Sequence, residues 1–208
     1  MLQITPYCLP DSKLIEGNEE GFLIWVPDKK YVVLGASNMP DESLCVENVL
    51  KDNVVVMKRP SGGQAVVLTP NNLTISVAVT GEKIVQPKAV FLSVNLLIIS
   101  VLETEGITGL SLMGISDIAI SGKKILGSAI YRNKDKLIYH AVMNIGEPAA
   151  TFEKYLKHPS KEPDYRLGRK HIDFVTSLKD NGYSGSYRSM VHKLSQCFNR
   201  NFVREKYN

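Results

Sequence analysis

The segment "SGKKILGSAIYRNKDKLIYH", residues 121 to 140, predicts the centre of the fold. It holds two strand patterns, "KKILGSAI" and "LIYH", and turn residues precede each of them: Ser121-Gly122, and the stretch from Asn133 to Lys136. "DIAI" lies just upstream and "AVMNI" just downstream. The segment therefore predicts three consecutive antiparallel strands, with the pair Lys123-Lys124 opening the middle one.

Upstream of this segment the chain is rich in strand patterns. "GFLIWVP" (21 to 27) and "YVVLG" (31 to 35), separated by "DKK", predict a hairpin. "VVVMK" (54 to 58), "AVVL" and "LTISVAV" predict three further strands. Between the two groups a short helix is expected from about Asp41, ending before Asn53, with four inward-facing residues: Leu44, Cys45, Val49 and Leu50.

Helical spacing marks three other stretches. A long helix is expected at residues 88 to 105, since Val90, Val94, Leu97 and Val101 recur on one face between Pro87 and Gly106. Its apolar part, "AVFLSVNLLIISVL", is too short and too often interrupted by polar residues to suggest a membrane span. "AATFEKYLK" and "SYRSMVHKLSQCFNR" predict two more helices. Together these patterns predict a single α+β domain over residues 1 to 208, built on a mixed sheet.

Composition limits the classes of partner. The chain has 208 residues, 44% of them hydrophobic, which is enough for one good core. The balance of 25 basic against 21 acidic residues gives a formal charge of +4, too mild and too scattered to indicate nucleic acid as the partner. The N-terminal sequence lacks a signal-peptide pattern. Cys8, Cys45 and Cys197 are far apart and form no CxxC, which disfavours a disulfide framework or a zinc site and favours the cytoplasm.

The loop "KRPSGGQAV" (58 to 66) is the first candidate for chemistry. Its adjacent glycines allow backbone N–H groups to approach a phosphate or carboxylate closely, and Arg59 could supply a forked cation for the same anion. The alternative is a plain hairpin turn in which the glycines only permit positive φ. Neither GxxxxGK[ST] nor GxGxxG occurs, so a P-loop or a dinucleotide fold is not supported.

Lys124 is the second candidate. A lysine at the start of a strand can hold its ammonium against a carboxylate that is being activated or a phosphate that is being attacked. The small residues Gly127, Ser128 and Ala129, which follow three positions on, would leave room for a ligand. The alternative is a pair of solubilising turn lysines.

Taken together, these segments resemble the catalytic domain of the lipoate-protein ligase A family, in the superfamily that also holds biotin ligases and octanoyl transferases. The resemblance covers about residues 21 to 178 and is carried by five segments: "IWVPDKKYVVLGASN", "VVVMKRPSGGQAV", "NNLTIS", "GISDIAISGKKILGSAIYR" and "KEPDYRLGRKHIDFVTSL". It implies a mixed, largely antiparallel sheet flanked by helices. It also implies a reaction in which lipoate and ATP, as its Mg²⁺ complex, form lipoyl-AMP. The acyl group then passes to a lysine of a lipoyl-carrier domain of 2-oxoacid dehydrogenases or of the glycine cleavage H protein.

The resemblance also implies roles for individual residues. Lys124 matches the central lysine, which contacts the acyl carbonyl and the adenylate phosphate, while Lys123 falls at a variable position and should point to the opposite face. Asp117 matches an aspartate that orients this lysine or the metal accompanying ATP. Matches to the acyl and adenylate-binding loop and neighbouring strands are Arg59, Ser61, Gly62, Gly63, Asn72, Gly127, Ser128, Ala129 and His140. For His140 a hydrogen-bonded core histidine is the alternative.

Three departures from the family pattern concern the nucleotide more than the acyl group. Gln64 stands where a third glycine is usual, Gly114-Ile115-Ser116 replaces Gly-Arg-Asn, and "YHA" (139 to 141) replaces "HHG". Because of these departures, a non-catalytic paralogue that binds acyl groups or carrier domains stays open.

An octanoyl or lipoyl acyltransferase working through a cysteine thioester is the other alternative. It is disfavoured because no cysteine lies between Cys45 and Cys197. A biotin ligase is disfavoured by "KRPSGG" in place of its arginine-rich loop. Too little sequence follows "FVTSL" for the C-terminal domain that closes over the ATP site in related ligases, so adenylation is expected to need a separate accessory polypeptide.

Overall fold

The computed structural model describes residues 2–17, 19–80 and 86–204, with side chains described as far as residue 200. In chain order the strands are β1 (Ile4–Pro6), β2 (Gly21–Trp25), β3 (Tyr31–Leu34), β4 (Val55–Lys58), β5 (Val66–Leu68), β6 (Asn72–Thr80), β7 (Leu110–Met113), β8 (Asp117–Ile120), β9 (Lys123–Arg132) and β10 (Lys136–Asn144). The helices are α1 (Ser12–Glu16), α2 (Pro40–Ser43), α3 (Val46–Lys51), α4 (Pro87–Thr104), α5 (Ala149–Tyr155), α6 (His171–Phe174) and α7 (Tyr187–Arg204).

The strands form two sheets that face each other. The small sheet has the order β1-β4-β3-β5, with β5 antiparallel to β3 and the other pairs parallel. The large sheet has the order β2-β6-β10-β9-β8-β7 and is antiparallel throughout. The α+β class with a largely antiparallel arrangement is confirmed, but the strands divide into two sheets where one was expected.

The predicted run of three antiparallel strands is confirmed in β8, β9 and β10. Ser121 and Gly122 join β8 to β9 with φ values of 50° and 73°. Two consecutive positive φ angles are the mark of the tight hairpin turn whose twist matches that of the strands. Local turn chemistry therefore positions the beginning of β9, where Lys124 lies.

The predicted hairpin between β2 and β3 is wrong. β2 pairs with β6 in the large sheet, whereas β3 pairs with β4 and β5 in the small one. β3 is buried on both faces, with Tyr31 and Val33 toward the large sheet and Val32 and Leu34 toward α3 and α5. A strand buried on both faces needs partners on both edges and a layer on each side, which a two-stranded hairpin cannot provide.

The single helix expected from Asp41 is divided into α2 and α3. Leu44 lies between them in an extended conformation and forms an antiparallel bridge with Leu156, which interrupts the helix. Val49 is buried as expected, but Leu50 is exposed. Asn53 follows α3 with a positive φ of 50°, in agreement with its expected place beyond the helix end.

The predicted long helix is confirmed as α4, and Gly106 follows it at positive φ. By length and composition α4 could cross a membrane, so the expectation that it is too short is wrong. Its buried residues Val94, Ile98 and Leu102 nevertheless lie in the core under the large sheet. Met190, Leu194 and Phe198 of α7 fill the same core. The opposite face of the large sheet is thereby left to the small sheet and to the space between them.

Candidate active site

A cavity of about 1050 Å³ lies between the two sheets and is the place where most of the predicted site residues meet. Its walls come from β3, the loop after β4, strands β5, β6, β9 and β10, and residues 157 to 166. Ser61 and Gly62 are outside the lining. The other predicted site residues all contribute to it: Arg59, Gly63, Asn72, Asp117, Lys124, Gly127, Ser128, Ala129 and His140.

An ion pair between Lys124 and Asp117 lies in the wall of this cavity. Lys124 Nζ lies 3.0 Å from Asp117 Oδ1. The lysine side chain is 30% exposed and the aspartate side chain 7%. A half-buried ammonium held by a nearly buried carboxylate is aimed in one direction before any ligand arrives.

A β-bulge brings Lys124 to the same face as Gly127. In the β8–β9 register Gly127 pairs with Asp117 and Leu126 with Ile118, but Lys124 pairs with Ala119, so one extra residue is inserted in β9. Because of the extra residue, the side chain of Lys124 and the Cα substituent position of Gly127 lie on the same face of β9, although the two residues are three positions apart. A Cβ on Gly127 would lie 2.5 Å from Lys124 Cε and 2.6 Å from Nζ. The glycine predicted to leave room for a ligand thus leaves room for the lysine.

Lys123 lies elsewhere. It is exposed and does not line the cavity within the described residues. The backbone of Lys124 is held by a contact that follows α6: Thr176 N donates to Lys124 O over 3.0 Å. The two adjacent lysines therefore have different environments.

Tyr165 is a contact of Asp117 that the sequence did not reveal. Its hydroxyl donates to Asp117 Oδ2 over 2.8 Å, so the two carboxylate oxygens have different partners. Burial, reinforced by the adjacent Asp117, raises the pKa of Tyr165, and the phenol stays a donor. No local pattern could have found it, since the two residues are 48 positions apart.

Arg59 holds the loop after β4 from inside. Nε donates to Ser61 Oγ over 3.0 Å, Nη1 to Val33 O over 3.3 Å, and Nη2 to Gly62 O and Gln64 O over 2.8 and 2.9 Å. Burial lowers the pKa of Arg59 to about 10. The expected fork free for an anion is therefore engaged with the loop's own carbonyls, although the guanidinium still borders the cavity.

His140 completes this loop contact. Its Nε2 lies 2.8 Å from Ser61 Oγ. Burial, with the neighbouring Arg59 charge, lowers the pKa of His140 to about 3, so the ring is neutral at physiological pH. Because Ser61 Oγ already accepts from Arg59, its own proton is available for the imidazole nitrogen.

Asn72 lines the cavity and stabilises the turn between β5 and β6. Its Oδ1 accepts from Thr69 N over 2.9 Å, and its Nδ2 donates to Asn144 Oδ1 over 3.4 Å. Both ends of the amide are engaged by the turn between β5 and β6 and by the end of β10.

A row of residues from four adjacent strands forms the floor of the cavity. Strand register aligns Thr74, Val142, Gly127 and Asp117 in one row across β6, β10, β9 and β8. At about 4.8 Å per strand the row spans roughly 14 Å. Asp117 of the ion pair lies at one end of the row and Thr74 at the other, and apolar residues from both sheets also line the cavity: Val33, Val66, Leu68 and Val142. An elongated ligand with an anionic head and an apolar tail matches this arrangement.

The family model of the lipoyl protein ligase A/B catalytic domain matches residues 7–199. The chain belongs to this family. A search of curated protein sequences finds no match.

Solved structures show that the fold of this lipoyl protein ligase A/B domain is shared. P. falciparum LipL1, in complex with lipoate, is 19% identical with a TM-score of 0.73; the match covers 91% of this chain and 52% of that one. A bi-partite lipoate protein ligase with its E2 lipoyl domain from Thermoplasma acidophilum is 18% identical with a TM-score of 0.76, covering 97% and 82%. A lipoate-protein ligase A bound with ATP is 19% identical, with a TM-score of 0.76, covering 98% and 84%. The chain thus spans about half the length of the P. falciparum protein.

Most of the departures from the ligase pattern border the cavity of this lipoyl protein ligase domain, whereas Tyr139 is buried in the core under the large sheet. Gln64 lines it, while its backbone carbonyl accepts from Arg59. Ile115 also lines it but is 70% exposed, and Ser116 accepts from Ser128 Oγ over 2.6 Å through its carbonyl. Ala141 is also part of the lining. The positions expected to carry a cation and an amide near the nucleotide thus carry an exposed aliphatic residue and a serine whose hydroxyl donates to Asp117 Oδ1 over 3.3 Å.

Proposed function

We propose that this chain attaches lipoate to a lysine of lipoyl-carrier domains through lipoyl-AMP, which it forms from lipoate and Mg-ATP. The observation that carries the proposal is the Lys124–Asp117 ion pair in the wall of a cavity that apolar residues of both sheets also line. Membership of the lipoyl protein ligase family supports it. The neighbours described with lipoate, with ATP and with an E2 lipoyl domain support it further.

In the proposed first step, a lipoate carboxylate oxygen attacks the α-phosphorus of ATP and pyrophosphate leaves with its metal. The Lys124 ammonium stabilises the charge that develops on the phosphate and beside the acyl carbonyl. Such a preorganised cation is effective because it needs no reorientation during the reaction. Asp117 keeps the ammonium aimed, and the apolar residues of the cavity lining bury the acyl chain.

In the second step, the amine of the carrier lysine attacks the acyl carbonyl of lipoyl-AMP and AMP leaves. Lys124 contacts the same two groups, the carbonyl oxygen and the phosphate. The neutral His140 and Ser61 keep the loop after β4 in place beside the ligand. We propose lipoyl domains of 2-oxoacid dehydrogenases or the glycine cleavage H protein as acceptors, in the cytoplasm.

A separate accessory polypeptide for the adenylation step belongs to the same proposal. The T. acidophilum neighbour is described as bi-partite, which supports a ligase divided between two chains. The site departures at Ile115 and Ser116 affect the nucleotide side of the cavity, where such a partner would act.

The test is acylation of a purified apo lipoyl domain, followed by mass spectrometry. One reaction receives lipoate and Mg-ATP, a second receives preformed lipoyl-AMP, and a third receives an octanoyl-carrier protein. We expect a lipoyl adduct from lipoyl-AMP, and a slower one or none from lipoate and Mg-ATP alone. Absence of any adduct from lipoyl-AMP would contradict the ligase proposal and favour a non-catalytic acyl-binding protein.

Lys124→Ala and Lys123→Ala form the matched pair of variants for this assay. Loss of the Lys124 ammonium should lower the rate roughly a hundredfold or more, as expected for removal of a preorganised charge. Lys123→Ala should stay near the wild-type rate because its side chain lies outside the cavity. Equal losses from both variants would show that Lys124 has no special role.

The acyltransferase alternative is tested by changing all three cysteines to serine. The described part of the cavity lining contains no cysteine, so transfer from lipoyl-AMP should continue. An acyl thioester detected on Cys8, Cys45 or Cys197 during turnover would favour the transferase.

A further inference from the structure

Asp117 is held from two sides by residues that are distant in the sequence. Lys124 Nζ contacts Oδ1 at 3.0 Å, and the Tyr165 hydroxyl donates to Oδ2 over 2.8 Å. Ser116 Oγ adds a longer donation to Oδ1 of 3.3 Å. With both oxygens engaged, the plane of the carboxylate is defined, and so is the direction from which it attracts the ammonium.

Tyr165 itself is rigidly placed. It lies in a short 3₁₀ helix (Asp164–Arg166), and its ring contacts that of Phe174 with centroids 5.1 Å apart. Phe174 is buried, and the guanidinium groups of Arg166 and Arg169 lie 4.8 and 5.2 Å from its ring centroid. The phenol therefore reaches Asp117 from a packed support.

Arg169 connects this 3₁₀ helix to the turn that precedes β9. Its Nη2 donates to Gly122 O over 2.9 Å and to Tyr165 O over 2.8 Å. Gly122 lies in the turn that opens β9, two positions before Lys124. Arg169 thus links the helix that carries Tyr165 to the turn before the strand that carries Lys124.

We propose that Tyr165 is a positioning residue for the lipoyl transfer reaction, acting on Lys124 through Asp117. Without the phenol, Oδ2 loses its donor and the carboxylate can turn about its side-chain bond. The ammonium would then follow the carboxylate away from its direction over Gly127. The kinetic part of this inference rests on the proposed ligase function; the structural part does not.

The first measurement is independent of activity. The side-chain ¹H–¹⁵N spectrum of lysine-labelled protein, with the Lys124 signal assigned from Lys124→Arg, reports the environment of the ammonium. Tyr165→Phe keeps the ring and should shift or broaden this signal. Tyr31→Phe is the matched control, because Tyr31 donates to the Asp28 carboxylate over 2.7 Å and does not line the cavity. An unchanged Lys124 signal in Tyr165→Phe would overturn the proposal.

The second measurement is the rate of transfer from lipoyl-AMP to an apo lipoyl domain. Tyr165→Phe should lower kcat about tenfold, the typical effect of losing one hydrogen bond to a charged group, with KM within about twofold. In an Asp117→Asn background the same change should alter kcat by less than about twofold, because the carboxylate through which Tyr165 acts on Lys124 is already absent. Independent, multiplying effects of the two changes would overturn the proposal.

The combined outcomes separate the two hypotheses. A shifted Lys124 signal in a protein whose wild type transfers no lipoyl group would reject the ligase function while retaining the positioning contact. An active wild type with an unchanged signal and an unchanged kcat in Tyr165→Phe would reject the positioning role and retain the ligase.

Discussion

Gly127 is a glycine because the aliphatic end of Lys124 occupies the space where its side chain would be. A Cβ at this position would lie 2.5 Å from Cε of the lysine, far below contact distance. The sequence predicted that the small residues at 127 to 129 act together with Lys124. It predicted that they leave space for a ligand, whereas Gly127 leaves space for the lysine side chain. The bulge in β9, which creates the overlap, changes which residues share a face.

Gly127→Ala should therefore displace the lysine while leaving the fold intact. The clashing atoms belong to the end of a flexible side chain, so the backbone need not move, but the ammonium must leave its place beside Asp117. We expect at least a tenfold loss of transfer from lipoyl-AMP with a melting temperature close to that of the wild type.

Gly21→Ala in β2 provides the control, since its nearest neighbour would be Leu14 Cδ2 at 3.9 Å. It should keep full activity. A Gly127→Ala variant as active as Gly21→Ala would contradict the steric account of Lys124.

The loop between β4 and β5 is an element organised around one buried guanidinium. Arg59 donates to the carbonyls of Val33, Gly62 and Gln64 and to Ser61 Oγ, and Ser61 in turn contacts His140 of the large sheet. The loop thereby joins the small sheet to the large one. A glycine-rich loop next to an arginine was predicted as an anion site; its arginine is used first to give the loop its shape.

Arg59→Lys should destabilise the protein despite keeping the charge. One ammonium cannot reach the acceptors that the planar fork satisfies, and buried carbonyls left without donors each cost about 1 to 3 kcal/mol. We expect the free energy of unfolding, measured by urea denaturation, to fall by about 2 to 4 kcal/mol.

The control is Arg132→Lys, the same substitution at an exposed arginine at the end of β9, outside the loop. Arg132→Lys should alter the free energy of unfolding by less than about 0.5 kcal/mol. Comparable destabilisation by the two variants would refute a scaffolding role for Arg59.

The whole molecule contains two histidines that it keeps neutral at the cavity. Burial lowers the pKa of His140 to about 3, with a further contribution from Arg59, and that of His171 to about 4, with Arg166 acting in the same direction. Glu153 opposes the shift at His171. The usual histidine pKa is about 6.5, so the unfolded chain binds protons that the folded chain does not between about pH 4 and pH 6.5.

Stability should consequently rise with pH across this window. A folded-state pKa depressed below the unfolded value favours folding above the unfolded pKa, and this contribution is lost as the pH falls. Each histidine adds a slope of at most about 1.4 kcal/mol per pH unit to the free energy of unfolding. Urea denaturation at several pH values between 4.5 and 7.5 measures the slope.

His140→Gln and His171→Gln should each flatten this profile. The exposed His158, which pairs with Glu162, provides the comparison. His158→Gln should leave the slope close to that of the wild type. Identical slopes in all three variants would show that the buried histidines do not control the acid stability.

The sequence by itself determined those parts of the molecule whose signals lie within a few residues. The meander β8–β9–β10 followed from alternation and from turn residues such as Ser121-Gly122, and α4 and α7 followed from apolar residues at helical spacing. The two candidate segments, around Arg59 and around Lys124, were also visible because they are short and their residue types are unusual together. A local backbone preference needs no partner to be recognised.

The tertiary structure alone decided which elements and side chains meet. β2 and β3 were both strands in the sequence, but only the burial of β3 on both faces assigned them to different sheets. Arg59 obtained its acceptor Val33 O, and Asp117 obtained Tyr165, from chain segments that local patterns do not connect. Such contacts depend on the burial of whole sheets and on the bulge that turns Lys124 over Gly127, and these are properties of packing between distant segments.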